Sequence, residues 1–202
     1  MNEIEYKWKW NNNVPSDISK ILNPNILVLE KKKIEIIADY YDSNDYILKK
    51  NKMALRKRKE NGKEKCYLKI SHNISKEYYT RKEYVLETNN IYDMIDYVIL
   101  NEKDKKILEI LKNNKFEHIC QILFDRKCYI LKVEKEKNFC IIELCYDNGI
   151  FKKNSKNDYF KEIELEYIEG NDKLFHEFAS HFKQEYNLEP EKLSKIARAM
   201  KI

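Results

Sequence analysis

Glu162-Ile163-Glu164-Leu165-Glu166 and Glu3-Ile4-Glu5-Tyr6-Lys7 alternate ionisable and apolar side chains at every step. Residues two apart in a strand share a face, so each stretch has one charged face and one apolar face. The same spacing puts Arg56 with Arg58, Arg81 with Glu83, and Glu143 with Asp147, with Cys145 between the last two. Taken singly, such a stretch fits a solvated outer face. Three carboxylates in a row repel one another, however, and a water-facing sheet gains more from mixed signs across strands. A divalent cation between them relieves that repulsion, and Mg²⁺ or Mn²⁺ favours such oxygen donors. Arg56, Arg58, Lys69, Arg81 and Arg126 carry the opposite sign and converge if the sheet closes on itself. A guanidinium fork matches phosphate oxygens, and Lys adds a point charge. Closure therefore yields an interior with an acidic side for a metal and a basic side for a polyanion.

The chain around these stretches reads as α+β. Strands are expected over Glu3–Trp10, Lys33–Asp42, Met53–Glu60, Lys65–Ser71, Glu77–Glu87, Ile119–Glu134, Phe139–Asp147 and Tyr159–Glu169. Asn61-Gly62 signals a hairpin, because both residues tolerate positive φ, and Asn148-Gly149 is read as a turn after its strand. Helices are expected over Ser16–Leu22, Ile91–Leu100, Glu102–Asn113, Asp172–Tyr186 and Glu191–Met200. In the fourth of these, Leu174, Phe175, Phe178 and Phe182 fall at helical spacing and read as core.

With 202 residues, 15 Tyr and 8 Phe, the chain can bury a sizeable core, which excludes disorder. Gly and Pro number 3 each, and no linker composition interrupts the sequence, so one domain over residues 1–202 is expected. A net charge of +5 permits an anionic ligand without identifying one. The five cysteines, Cys66, Cys120, Cys128, Cys140 and Cys145, form no CxxC pair and read as reduced thiols of a cytoplasmic protein. The charged start is no signal peptide and no run reaches about 20 apolar residues, so no membrane role is expected. The runs Lys31-Lys32-Lys33 and Lys103-Asp104-Lys105-Lys106 lack interleaved aromatics and read as solvated surface, not as a nucleic-acid site. His72, His118, His176 and His181 fit no ligand spacing.

Several blocks, in order, resemble the CYTH superfamily of triphosphate tunnel metalloenzymes. Glu3-Ile4-Glu5-Tyr6-Lys7 is similar to its ExExK signature. Tyr40-Tyr41-Asp42-Ser43-Asn44-Asp45 resembles its YY(D/E)TPD strand end, and Met53-Ala54-Leu55-Arg56-Lys57-Arg58 its xxLRxR strand. Tyr67-Leu68-Lys69, Arg81-Lys82-Glu83 and the stretch from Ile142 to Gly149 resemble TxK, RxE and IExxxDxG. Glu162 to Glu166 resembles the closing acidic strand, and Ser194-Lys195-Ile196-Ala197-Arg198 the SKxxR end. Two departures stand out: Phe124 occupies a position usually held by Lys, and Ala199-Met200 replace the Gly-Tyr that often follows SKxxR.

The resemblance implies an eight-stranded antiparallel tunnel with helices outside, acting on triphosphates with Mg²⁺ or Mn²⁺. It is most similar to the bacterial inorganic triphosphatase branch, which implies hydrolysis of tripolyphosphate by a monomer or homodimer. Carried over residue by residue, Glu3, Glu5, Glu162 and Glu164 would hold the metal. Lys7, Arg56, Arg58, Lys69, Arg81, Arg126, Lys195 and Arg198 would bind phosphate oxygens. Glu83 and Asp147, with Glu143, would hold a second metal or orient water, and Lys7, Glu83 and Asp147 form the implied catalytic set. Thiamine triphosphatase and class IV adenylate cyclase activity remain open at this stage. So does binding of a polyphosphate or nucleotide without turnover. Trp8 and Trp10 could stack on an organic group, although packing beneath a helix suits them better.

Overall fold

The computed structural model describes residues 2–10, 14, 25–74 and 79–202. Eight strands run β1 (Asn2–Lys9), β2 (Ile26–Asp42), β3 (Met53–Glu60), β4 (Lys63–Ile74), β5 (Tyr79–Leu86), β6 (Glu117–Lys135), β7 (Asn138–Lys153) and β8 (Lys156–Gly170). They form a closed antiparallel barrel in the order β1-β5-β4-β3-β2-β6-β7-β8, with β8 returning to β1. The helices are α1 (Ile47–Lys50), α2 (Ile91–Asn101), α3 (Lys105–Asn113), α4 (Asp172–Glu185) and α5 (Lys195–Ala199). The expected helix over Ser16–Leu22 lies outside the described residues, and α1 was not anticipated.

Local chemistry sets the corners. Asn61 and Gly62 have φ of 46° and 89°, the left-handed pair that a tight β3–β4 hairpin requires. Asn90, Asp104, Asn171 and Ser194 cap α2, α3, α4 and α5, each side chain accepting a hydrogen bond from a first-turn backbone N–H. The buried Asp42 carboxylate accepts from the backbone N–H groups of Ser43, Leu48 and Lys49 at 2.8 to 3.0 Å. The acid of the Tyr40-Tyr41-Asp42 block thus fastens the β2–α1 corner.

Apolar packing is mainly on the outside of the barrel. α4 lays Leu174, Phe175, Ala179 and Phe182 over Tyr6 and Trp8 of β1, Ile142 and Leu144 of β7, and Ile163 and Leu165 of β8. The anticipated core stripe is therefore core, and the Trp8 indole, 1% exposed, is packed beside Tyr6 and Phe182. α2 and α3 cover Leu55, Leu68 and Ile70 of β3 and β4 in the same way. A third cluster fills one end of the interior, where Ile36, Ala38, Ile122, Phe124, Phe151 and Phe160 meet Ile196, Ala199 and Met200 of the α5 segment.

The structure corrects one turn. β7 runs unbroken through Asn148-Gly149, with Gly149 paired to Phe124 on β6 and Phe160 on β8. The chain instead reverses at Asn154, whose φ is 53°. Gly149 is needed for close approach, since a Cβ there would overlap the Leu123 carbonyl oxygen and the Phe124 Cβ. Gly149→Ala is expected to cost about 3 kcal/mol through this overlap, lowering Tm by roughly 6–12 °C for a domain of this size. An unchanged melting curve would show that β6 and β7 part at this point.

Candidate active site in the tunnel

Register fixes which charges meet. On neighbouring rungs, Asp147 of β7 stands between Arg126 of β6 and Glu162 of β8, and Cys145 between Cys128 and Glu164. Glu143 faces Glu166, which faces Glu5 of β1, while Glu164 faces Lys7. These side chains share the inner face, so the alternation in three strands becomes a block of carboxylates. Glu5, Glu143, Glu164 and Glu166 of this block line a cavity of about 570 Å³, and across the tunnel Arg56 and Arg58 of β3, Tyr67 and Lys69 of β4 and Glu83 of β5 line it too.

The acidic block is compensated from within. Arg126 donates two hydrogen bonds to Asp147, Nε to Oδ1 and Nη2 to Oδ2, both 2.7 Å, and also reaches Glu164. Lys195 Nζ lies 2.8 Å from both Asp147 and Glu164 and also contacts Glu162, while Arg198 pairs with Glu162. Asp147 and Glu162 are fully buried, where an uncompensated carboxylate would be costly by several kcal/mol. Burial works against the charge of Glu164, but Lys195, Arg126 and Lys7 outweigh it and hold this carboxyl well below its ordinary range. Burial likewise opposes the Lys195 ammonium, and Asp147, Glu162 and Glu164 more than offset that, raising it above the ordinary lysine value.

The basic wall is arranged differently. Arg56 lies 4.5 Å from the Tyr67 ring centre and 3.7 Å from Glu83, and Lys69 is 3.1 Å from Glu83. Burial, followed by the like charges of Arg56 and Arg126, lowers the Arg58 pKa from its usual value. Arg58 pairs with Glu60 at 2.5 Å, yet the like charges around it remain. A polyanion would relieve that crowding.

The sequence-derived candidates divide accordingly. Asp147, Glu162 and Glu164 come together, with carboxylate oxygens within 4.8 Å of one another, a donor set suited to a hard cation. Glu5 and Lys7 are buried on the same inner wall. Glu83 is held on the basic wall, apart from Asp147. Glu143 groups with Cys128 and Cys145 instead of with the three carboxylates. The backbones of Glu3 and Arg81 are paired, while their side chains lie outside the described ones. Tyr67 and Glu166 also line the cavity and were missed as site residues, though both stand two positions from residues that were chosen. Lys32, read as surface, lines the tunnel mouth because it sits opposite Cys128. Phe124 replaces a cation with an aromatic face, 5.2 Å from Lys195 and 5.6 Å from Arg126.

A closed barrel with this charged interior agrees with the family model that describes the CYTH domain, which matches residues 1–200. The chain belongs to the CYTH family. Among solved structures of similar fold is a candidate adenylyl cyclase from Hippeastrum, described as revealing a dominant triphosphatase activity. It is 20% identical, with a TM-score of 0.62, and 98% of this chain and 95% of that one are covered. A candidate adenylate cyclase from Bacillus halodurans is 18% identical, with a TM-score of 0.58, covering 97% and 96%. A protein from Pyrococcus horikoshii is 19% identical, with a TM-score of 0.56, covering 98% of each. These likenesses concern the fold. No curated protein matches the chain. Among the described residues no helix is long and apolar enough to cross a membrane.

The CYTH tunnel's inner ion pairs make a test of their own. Lys195→Ala should lower stability at neutral pH by about 3 kcal/mol, because it leaves buried carboxylates short of a partner. The Glu164 carboxylate, depressed in the folded state, stabilises above its unfolded pKa of about 4.5, and that contribution is lost as pH falls through the lower folded value. The deficit of the variant against the parent should therefore be largest near pH 7 and shrink below about pH 4.5. Denaturant titrations across pH check this; a deficit that is constant with pH would contradict the pairing.

Proposed function

We propose that this CYTH protein hydrolyses inorganic triphosphate to pyrophosphate and phosphate with Mg²⁺ or Mn²⁺, as in the bacterial inorganic triphosphatase branch. The observation that carries this is the arrangement of one cavity, with Glu164 on one wall, backed by the fully buried Asp147 and Glu162, and Arg56, Arg58 and Lys69 on another. A short, highly charged substrate needs both walls at once. Two features favour an inorganic chain over an organic triphosphate. The Trp8 indole is packed under α4 and Trp10 against Tyr146, at 5.3 Å between ring centres, so neither is offered for stacking on a base. The α5 segment also fills one end of the interior.

In this reading Asp147, Glu162 and Glu164, with Glu5 and Glu3 on β1, hold the divalent cation. Bound there, it would polarise phosphate oxygens and neutralise their charge. Arg56, Arg58, Lys69, Arg81 and Arg126 grip the non-bridging oxygens, and Lys7 lies between the two sets. Lys195 and Arg198 exchange their carboxylate partners for phosphate oxygens as cation and substrate enter. Glu83, fixed between Arg56 and Lys69, orients a water toward the terminal phosphorus and accepts its proton. The new O–P bond forms as the bridging P–O bond breaks, and pyrophosphate leaves with the bridging oxygen. Phosphoryl transfer of this kind depends mainly on positioning and charge neutralisation, which fixed guanidiniums supply.

Phosphate release from tripolyphosphate with Mg²⁺ or Mn²⁺ tests the reading, with ATP and thiamine triphosphate in parallel. Arg56→Ala should lower kcat/KM by about 10²–10³, and Glu162→Gln should remove the metal activation. Faster turnover of ATP or thiamine triphosphate would reassign the substrate. Tight binding of tripolyphosphate without turnover would make the tunnel a binder.

A further inference from the structure

Cys128 and Cys145 are opposed across the β6–β7 ladder, both 2% exposed, yet neither belongs to any of the three apolar clusters. The remaining cysteines do: Cys66, Cys120 and Cys140 each pack into one of them. The two thiols are therefore buried in the charged tunnel, on the rung that Glu164 completes and one rung from Asp147 and Glu162, and the triphosphatase reading gives them no task. Glu143 joins them. Its Oε1 accepts a hydrogen bond from Cys145 Sγ at 3.1 Å, and the two sulfurs and a Glu143 oxygen lie within 4.8 Å of one another. Cys128 and Glu143 line the cavity, so the group can be reached from it.

We propose that Cys128, Cys145 and Glu143 form a binding site for a thiophilic divalent cation of the Zn²⁺ class, separate from the Asp147–Glu162–Glu164 block. A tetrahedral zinc site has Zn–S bonds of about 2.3 Å and Zn–O bonds of about 2.0 to 2.2 Å, which set ligand-to-ligand spacings of roughly 3.5 to 3.8 Å. The observed spacing needs only small side-chain rotations to reach that. Ligation replaces two S–H bonds by two S–Zn bonds and releases two protons to solvent. Three protein ligands would leave a fourth position for water or an anion. Softness separates the two sites: thiolates favour Zn²⁺ and Co²⁺, whereas an all-carboxylate set favours Mg²⁺ and Mn²⁺. Residues two apart on β7 are separated by about 7 Å, so Cys145 and Asp147 can serve different cations. The inference stands on this geometry and does not depend on the chain being a triphosphatase.

The test is a titration of the reduced protein with Co²⁺, followed by competition with Zn²⁺ and with Mg²⁺. One equivalent of Co²⁺ should produce thiolate-to-cobalt charge-transfer absorption with intense tetrahedral visible bands, removed by Zn²⁺ and unaffected by excess Mg²⁺. Cys145→Ser should abolish the charge-transfer absorption, with Cys128→Ser as the second variant should the first fail to fold. Glu143→Gln should weaken Co²⁺ binding by at least tenfold while keeping the absorption. Asp147→Asn should leave the signal in place. Absence of charge-transfer absorption in the parent protein, its persistence in both Cys variants, or its loss in folded Asp147→Asn would overturn the proposal.

Discussion

Asp147, Glu162 and Glu164 are tolerable inside this barrel because Arg126, Lys195 and Arg198 are ion-paired with them there. Much else follows from that compensation. A charged interior forces the apolar residues of each strand outward, so the helices cover the outside of the barrel and hold the main cores there. The strands must close, since an open sheet would let water screen the two walls from each other. Two of the three cations, Lys195 and Arg198, come from α5, so a short helix that follows the barrel strands neutralises carboxylates set on β7 and β8.

The same arrangement suggests how a tunnel of this kind can be selective. A cation entering the acidic block meets donors already occupied by Lys195 and Arg198, and a polyanion entering the basic wall meets guanidiniums next to Glu83 and Glu60. Either ligand alone would strand some of these partners. Cation and triphosphate together would give the displaced lysine and arginines new oxygens to hold. Under the proposed function, joint binding would thus be favoured over separate binding.

Strand periodicity made most of this legible. Every second residue from Glu3 to Lys7, from Arg56 to Arg58 and from Glu162 to Glu166 does face inward where described, because a pleated strand leaves no other choice once the opposite face is apolar. The α4 stripe followed for the analogous helical reason. What the sequence left hidden depends on register and on partners. Asn148-Gly149 has the composition of a turn, but the demand on Gly149 comes from Leu123 and Phe124 on a neighbouring strand. Glu143 and Asp147 share a face, yet cross-strand neighbours send one to two thiols and the other to Arg126. Glu83 likewise takes its setting from Arg56 and Lys69.

The most direct measurement is a crystal structure with Mn²⁺ and a non-hydrolysable triphosphate, using the anomalous signal of manganese to place the ion. The account predicts manganese bonded to carboxylates of the Asp147, Glu162 and Glu164 group, with Lys195 drawn away from them. Phosphate oxygens should lie on Arg56, Arg58 and Lys69. Manganese confined to the outer surface, with the Lys195 and Arg126 pairs intact and the phosphates outside the barrel, would contradict it.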